Sequence, residues 1–562
     1  LFGVDIDSQA VEVTKLSLFL KLLEEENEQT VGQQLKITDR VLPDIASNIT
    51  CGNSLIGPEF FEHDDLVSHD ADVMYRINMF DWTRKFPDIM KSGGFDVIIG
   101  NPPYIRIQEL QNWAGVETEY YNRQYQTAGE GNYDIYVVFV ERALELMRRG
   151  GTLGFILPNR FFNVKYGTPL RALLSAGRNV QRIVNFGHEQ VFEGARTYTC
   201  LLFLDKEPTS TVQVVNVASL KRWQVDQDGT AGVIPSESLS ESEWHLAFGA
   251  DRQLLDKLTA CPLTLENVTD RIFQGLKTSA DKIYIVEERE RKRRSLRIYS
   301  RQLEKEFLVE PDLFHMLVKG GDSKRYHLSS TNRLILFPYE NVKGSWRLIP
   351  ADTFQRQYPQ TWNYLSENKK YLEEREKGKM KGDRWYGYIY PKALGVISES
   401  KIFTPDIALH ASYSLDETGN SYFTGGAAGG YGIVVSPRYS REYILGLLNS
   451  RLHEWFIRKT AIVMSGGYYS YESRFIKHLP IRSADPDSKQ EGKVRAQVIR
   501  LVERMLLLNK TIDAAKTPFE RDSLREQRNA TDGQIDRLVY DIYNLTPEEI
   551  EAVERETERA SK

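Results

Sequence analysis

The chain has 562 residues, 41% of them apolar and 27% charged, which is ordinary globular usage and excludes a disordered or fibrous protein. No apolar run reaches the roughly 18 to 20 residues that span a bilayer. Three separated cysteines, Cys51, Cys200 and Cys261, cannot build a disulfide framework or a four-ligand zinc site. A formal net charge of −5 argues, by itself, weakly against a nucleic-acid partner. The chain opens at Leu1 without Met, inside a strand-like run, and reads as a piece of something longer.

Residues 1–205 alternate β-rich and helical runs, the pattern of a parallel α/β sheet. Leu1 to Ile6 ends a strand, and Ser8 to Leu23 follows as a helix with Val11, Leu16, Phe19, Leu20 and Leu23 near helical spacing. Ile49 to Cys51 is a short strand and Phe95 to Gly100 a buried one. Tyr133 to Met147 is an apolar helix, Thr152 to Leu157 the next strand, and Leu170 to Leu174 starts a helix. Arg182 to Phe186 and Thr197 to Leu204 are two strands around a polar turn. Residues 206–260 are polar and irregular and read as a connector, with Val212 to Val217 an alternative strand. Residues 261–485 read as a mixed second domain, and 486–562 as a charged helical tail. In that tail Thr546 caps a helix with Pro547 at its first position.

The sharpest feature is Asn101-Pro102-Pro103-Tyr104 directly after the strand Phe95 to Gly100. Open α/β sheets bind ligands at the carboxyl ends of their strands. Two consecutive prolines remove two backbone donors and stiffen the loop. Asn101 adds a side-chain carbonyl, and Tyr104 a flat ring. Fixed acceptors beside an aromatic platform suit a planar amino group. Accepting both of its protons favours the pyramidal nitrogen that attacks, and stabilises the charge that grows on it. Direct displacement of a methyl group needs neither a covalent enzyme intermediate nor a metal.

These residues resemble the amino-methyltransferases that use S-adenosylmethionine, most closely the adenine-N6 DNA methyltransferases of the TaqI-like and single-chain type II restriction-modification kind. The resemblance implies a class I, Rossmann-like methyltransferase sheet, a mixed α/β target-recognition domain and a helical tail. It assigns the orientation of the amine to Asn101 and the Pro102 carbonyl, with Pro103 stiffening the loop. Gly3-Val4-Asp5-Ile6-Asp7 is similar to the family's second motif. There Asp5, or second Asp7, with Ile6 between them, holds the cofactor ribose, although Asp7 also fits a helix cap. Ile49 to Leu55 is similar to the third motif, with Asn53 and Ser54 beside the cofactor adenine; Asn101 touches the cofactor as well. Val191 to Tyr198 resembles the hairpin whose aromatic stacks on a flipped base, which implies Phe192 on one face and Tyr104 on the other. The glycine-rich first motif should precede Leu1 and is absent, so the chain as written is expected to bind the cofactor poorly or not at all.

Ile272 to Ser279, Leu447 to Ser450 and Gly466 to Ser473 resemble the TaqI-like recognition domain. Basic residues near aromatics, Lys277, Arg293, Arg294, Lys379 and Lys381, with Tyr469, are candidates to meet DNA phosphates, against the plainer reading of a solvated charged loop. The expected activity is site-specific methylation of adenine N6 in double-stranded DNA by S-adenosylmethionine, within a restriction-modification system and a prokaryotic cytoplasm, without metal or membrane. Asp312 and Lys319 are too isolated to form a nuclease site, which in single-chain relatives lies upstream. The rival readings are a DNA-binding specificity module with an inactive methyltransferase remnant, and a methyltransferase acting on protein glutamine.

Overall fold

Two units divide the chain, Leu1–Leu246 and Ala247–Lys562. The computed structural model describes residues 1–24, 45, 47–62, 71–129, 131–192, 197–464, 466–482 and 489–558.

The first unit begins with β1 (Gly3–Asp5), followed at once by α1 (Ser8–Leu23). Asp7 caps α1 by accepting the Gln9 N–H. β2 (Ile49–Cys51) lies parallel to β1, with Gly3 opposite Ile49. A separate six-stranded sheet carries β3 (Phe95–Gly100), β4 (Met147–Pro158), β5 (Val180–Asn185), β6 (Thr199–Asp205), β7 (Thr211–Asn216) and β8 (Thr230–Pro235) in the order β3-β4-β6-β5-β7-β8. β3 and β4 are parallel, and β6 runs antiparallel between β4 and β5. The expected α/β sheet is therefore present, with α2 (Tyr136–Leu146) leading into β4 and α3 (Thr168–Gly177) into β5.

Three local expectations change. The strand Phe95 to Gly100 is not buried: β3 is the edge strand of its sheet, and Val97 and Ile99 are 65% and 79% exposed. In α1 the apolar spacing does not translate into a buried face, because only Val11 is covered while Leu16 and Leu20 are exposed. Residues 206–246 are structured. The alternation of Val212 and Val214 lets β7 dock parallel to β5, and β8 pairs beyond it.

The second unit holds two main sheets. One orders Thr269–Gln274, Gly430–Val435, Lys401–Pro405 and Ser414–Asp416. The other orders Lys305–Val309, Leu296–Ser300, Ile285–Arg291, Arg333–Leu336, Phe314–Val318 and Ser421–Phe423. Helices α4 (Arg441–Asn449) and α5 (Arg451–Thr460) share a core with α6 (Lys489–Ala514), α7 (Pro518–Ile542) and α8 (Pro547–Glu556). The tail is thus part of this unit. Thr546 and Glu549 form the capping box of α8, as Thr546-Pro547 suggests.

α4 and α6 meet at Gly446, where an added Cβ would lie 2.9 Å from both Val498 Cγ1 and Val502 Cγ2. Gly446→Val is expected to cost about 1–3 kcal/mol by overpacking, read as a lowered urea midpoint. His453, buried at the start of α5, is pulled down from 6.5 to about 4 by burial, against a hydrogen bond to the Pro480 carbonyl. Its neutral ring therefore contributes stability in full above pH 6.5, and the contribution is lost as pH falls towards 4. At 1.36 kcal/mol per unit this amounts to about 3 kcal/mol. His315 shifts in the same direction for the same main reason. Unfolding of His453→Gln between pH 7 and pH 4 should therefore show a shallower acid limb than the parent.

Candidate active site

β3 delivers the site. Its last residue, Gly100, faces Phe155 of β4, and a Cβ there would come within 2.9 Å of the Phe155 ring. Glycine at this position lets the chain pass close beneath that ring and emerge as Asn101. Asn101 and Pro103 are exposed, Pro102 is buried and Tyr104 is half-buried. The Tyr104 hydroxyl donates to Asn101 Oδ1 at 2.9 Å and to the Ile156 carbonyl of β4 at 3.2 Å. Burial, more than the nearby Cys200, pushes that hydroxyl up to about 12, so it stays a neutral donor at neutral pH.

The Phe192 ring lies 6.4 Å from that of Tyr104, at 58°. The two expected stacking partners, far apart in sequence, are thus neighbours. A flat ligand between them needs two van der Waals contacts of about 3.5 Å, or parallel rings about 7 Å apart. At 6.4 Å and 58° the two rings leave no parallel slot for one as they stand. The rest of the expected hairpin turn, Glu193 to Arg196, lies outside the described residues.

Beyond Tyr104 the loop is pinned by backbone bonds, Ile107 N–H to Tyr133 O and Ile135 N–H to Ile105 O, both 2.9 Å. Between them Asp134 accepts from Tyr166 at 3.0 Å, and burial raises its carboxyl above the ordinary range. The segment after β4 is held by Arg171, which reasoning from sequence did not single out. Its buried guanidinium donates to the carbonyls of Phe161 (2.5 Å), Val164 (2.9 Å) and Glu241 (2.9 Å). One arginine between Leu170 and Leu174, on an otherwise apolar helix face, was the available signal.

The β1–β2 edge supplies a second group of residues. Asp5 is exposed; its Oδ1 accepts the Asp7 N–H at 2.8 Å, and Asp7 is committed to capping α1. The Ile6 carbonyl accepts from the Cys51 thiol at 3.3 Å. Asn53 is buried: its Oδ1 takes the Leu55 N–H at 3.1 Å, and its amide donates to Tyr121 Oη at 3.4 Å. The Ser54 carbonyl accepts from Trp82 Nε1 at 3.1 Å. Phe2 ties this edge to β3 through Phe95, ring to ring at 6.0 Å. Tyr121, 68 residues from Asn53, carried no local pattern to reveal it.

In the second unit Lys277 forms a bridge with Tyr390, and the Lys379 ammonium lies 4.7 Å from the same ring. The Lys381 methylenes rest near Gly378. Arg293 and Arg294 are exposed at the tip of a different hairpin, whose Arg289, Arg291 and Arg297 are ion-paired with glutamates. Tyr469 is half-buried with the Arg458 guanidinium 5.2 Å from its ring. Among the described residues no group of three His, Cys, Asp or Glu could hold a metal ion, and no helix is long and apolar enough to cross a membrane.

Residues 1–192 match the Eco57I restriction-modification methylase family, and residues 315–481 match the TaqI-like C-terminal specificity domain. The chain is 29% identical to the type II restriction enzyme and methyltransferase RM.Eco57I of Escherichia coli, over 97% of this chain and 54% of that protein. It is 23% identical to the type II methyltransferase M.BstVI of Geobacillus stearothermophilus, covering 82% of this chain and 75% of the relative. Among solved structures it shares a fold with the Type IIL restriction-modification enzyme MmeI, solved in complex with DNA. The TM-score is 0.58 at 12% identity, covering 98% of this chain and 64% of that one. The chain thus carries an Eco57I-type methylase region and a TaqI-like specificity domain, and spans about half the length of RM.Eco57I.

Removing the brace behind the site should show directly. Arg171→Ala leaves the buried Phe161 carbonyl without its donor and removes one bond each from the Val164 carbonyl, which keeps the Gly167 N–H at 3.1 Å, and from the carbonyl of exposed Glu241, so a loss of about 1–3 kcal/mol is expected in urea unfolding.

Proposed function

We propose that this chain is the methyltransferase and specificity portion of a type II restriction-modification enzyme. It transfers a methyl group from S-adenosylmethionine to N6 of an adenine flipped out of duplex DNA. The observation that carries this reading is the Asn101–Tyr104 loop at the end of β3 with Phe192 opposite. It sits in a region of methylase sequence, on the same chain as a specificity domain.

The residues at the β1–β2 edge fit the cofactor. Asp5 keeps one carboxylate oxygen without a hydrogen bond among the described residues, suited to a ribose hydroxyl. Asn53 retains one amide hydrogen and one carbonyl lone pair beyond its two present bonds. When bound, S-adenosylmethionine supplies an electrophilic methyl group. Asn101 Oδ1 and the Pro102 carbonyl accept the two N–H bonds of the adenine amine. That draws its lone pair out of conjugation and aims it at the methyl carbon. Tyr104 and Phe192 hold the ring by stacking, and the paired prolines keep the acceptors from collapsing onto backbone donors.

Methyl incorporation into duplex DNA from labelled cofactor, measured on the protein supplied with the glycine-rich first motif, tests the reading. Asn101→Ala is expected to lower the rate about 100-fold or more, while DNA affinity falls by no more than about tenfold, because one hydrogen bond of about 1 kcal/mol to the flipped base is lost among the contacts that hold the duplex. A rate unaffected by the substitution would refute the role given to Asn101.

A further inference from the structure

The second unit contains a cavity of about 1540 Å³ between specificity-domain residues and the tail helix α7. Small-molecule sites run to roughly 300–1,000 Å³, so this one is large for a metabolite. Its floor is narrow in side chain: Gly320, Gly321, Ala427 and Ala428 line it, and a Cβ at Gly321 or Gly533 would meet nothing within 4 Å. Its walls carry Lys324, Arg325, Arg451, Arg528 and Arg537, against Asp532, Asp536 and Glu554. Five cations less three acids leave +2 with the histidines neutral, inside a chain whose net charge is −5.

Two of the acids serve to position the arginines. Asp532 holds Arg325 Nη2 at 2.7 Å, and Asp536 accepts the Arg451 backbone N–H at 2.8 Å with Arg451 Nε 3.5 Å away. Arg325 Nε and Nη1 are buried without a hydrogen bond, and Nη1 lies 4.0 Å from the buried Glu454 carboxylate, so Arg325 acts on the groove through its charge and not through a free donor. Among the described residues Arg528 donates to Asn529 Oδ1, at 3.3 Å, and stands partly desolvated near Arg525 and Arg325, with Asp532 the carboxylate that favours its charge. Net positive charge along a groove lined in part by glycine and alanine suits an extended anion.

We infer that this groove seats the phosphate backbone of the DNA that the specificity domain reads, an inference that rests on the function proposed above. Lys324, Arg325 and Arg451 lie within the TaqI-like region 315–481. Arg528 and Arg537 come from α7, so the tail completes the site.

The full chain and a labelled duplex of random sequence provide the test, with affinity measured across salt concentration. Arg528→Gln/Arg537→Gln should bind about tenfold more weakly at low salt. Its log affinity against log salt should lose about two units of slope, close to 0.9 for each phosphate contact removed. Arg528→Lys/Arg537→Lys should restore most of that slope. An unchanged slope in the Gln variant, or an equal loss in the Gln and Lys variants, overturns the groove while parental methyl transfer leaves the function standing. A parent that neither binds nor methylates DNA overturns both.

Discussion

Everything at the site depends on the parallel register between β3 and β4. Gly100 opposite Phe155 sets the height at which the chain leaves the sheet. That height brings the Tyr104 hydroxyl to the Ile156 carbonyl and to Asn101 Oδ1 together. One hydroxyl thus ties the loop both to β4 and to its own first residue.

The bracing around that loop comes from groups the reaction never touches. Arg171 gathers three carbonyls behind β4, and the Asp134–Tyr166 pair sits under the loop exit. Buried polar groups of this kind are costly unless satisfied, and a satisfied set holds one arrangement in preference to others. Under the proposed function, that stiffness keeps the acceptors aimed at the amine they are to meet.

The parts legible in the sequence were those with local chemistry. Asn101-Pro102-Pro103-Tyr104 announced itself through two missing donors, and Thr546-Pro547 announced a helix start. Phe192 could be placed through its resemblance, and the structure sets it beside Tyr104. What stayed hidden was set by tertiary context. The exposure of Val97 and Ile99 depends on which strand is an edge, and that depends on pairings fifty residues away. The strand at Thr211–Asn216 hid among polar neighbours because only one of its faces is apolar. The cations of the second unit's groove come from stretches some two hundred residues apart. No window of sequence contains them, and an overall charge of −5 conceals them.

The most direct test of the account is the identity of the methylated nucleoside. Duplex DNA incubated with S-adenosylmethionine and the protein supplied with the glycine-rich first motif, digested to nucleosides and resolved by mass spectrometry, should contain N6-methyladenine, and Asn101→Ala should remove it. A methyl group found on cytosine, or N6-methyladenine that persists without Asn101, would contradict the account.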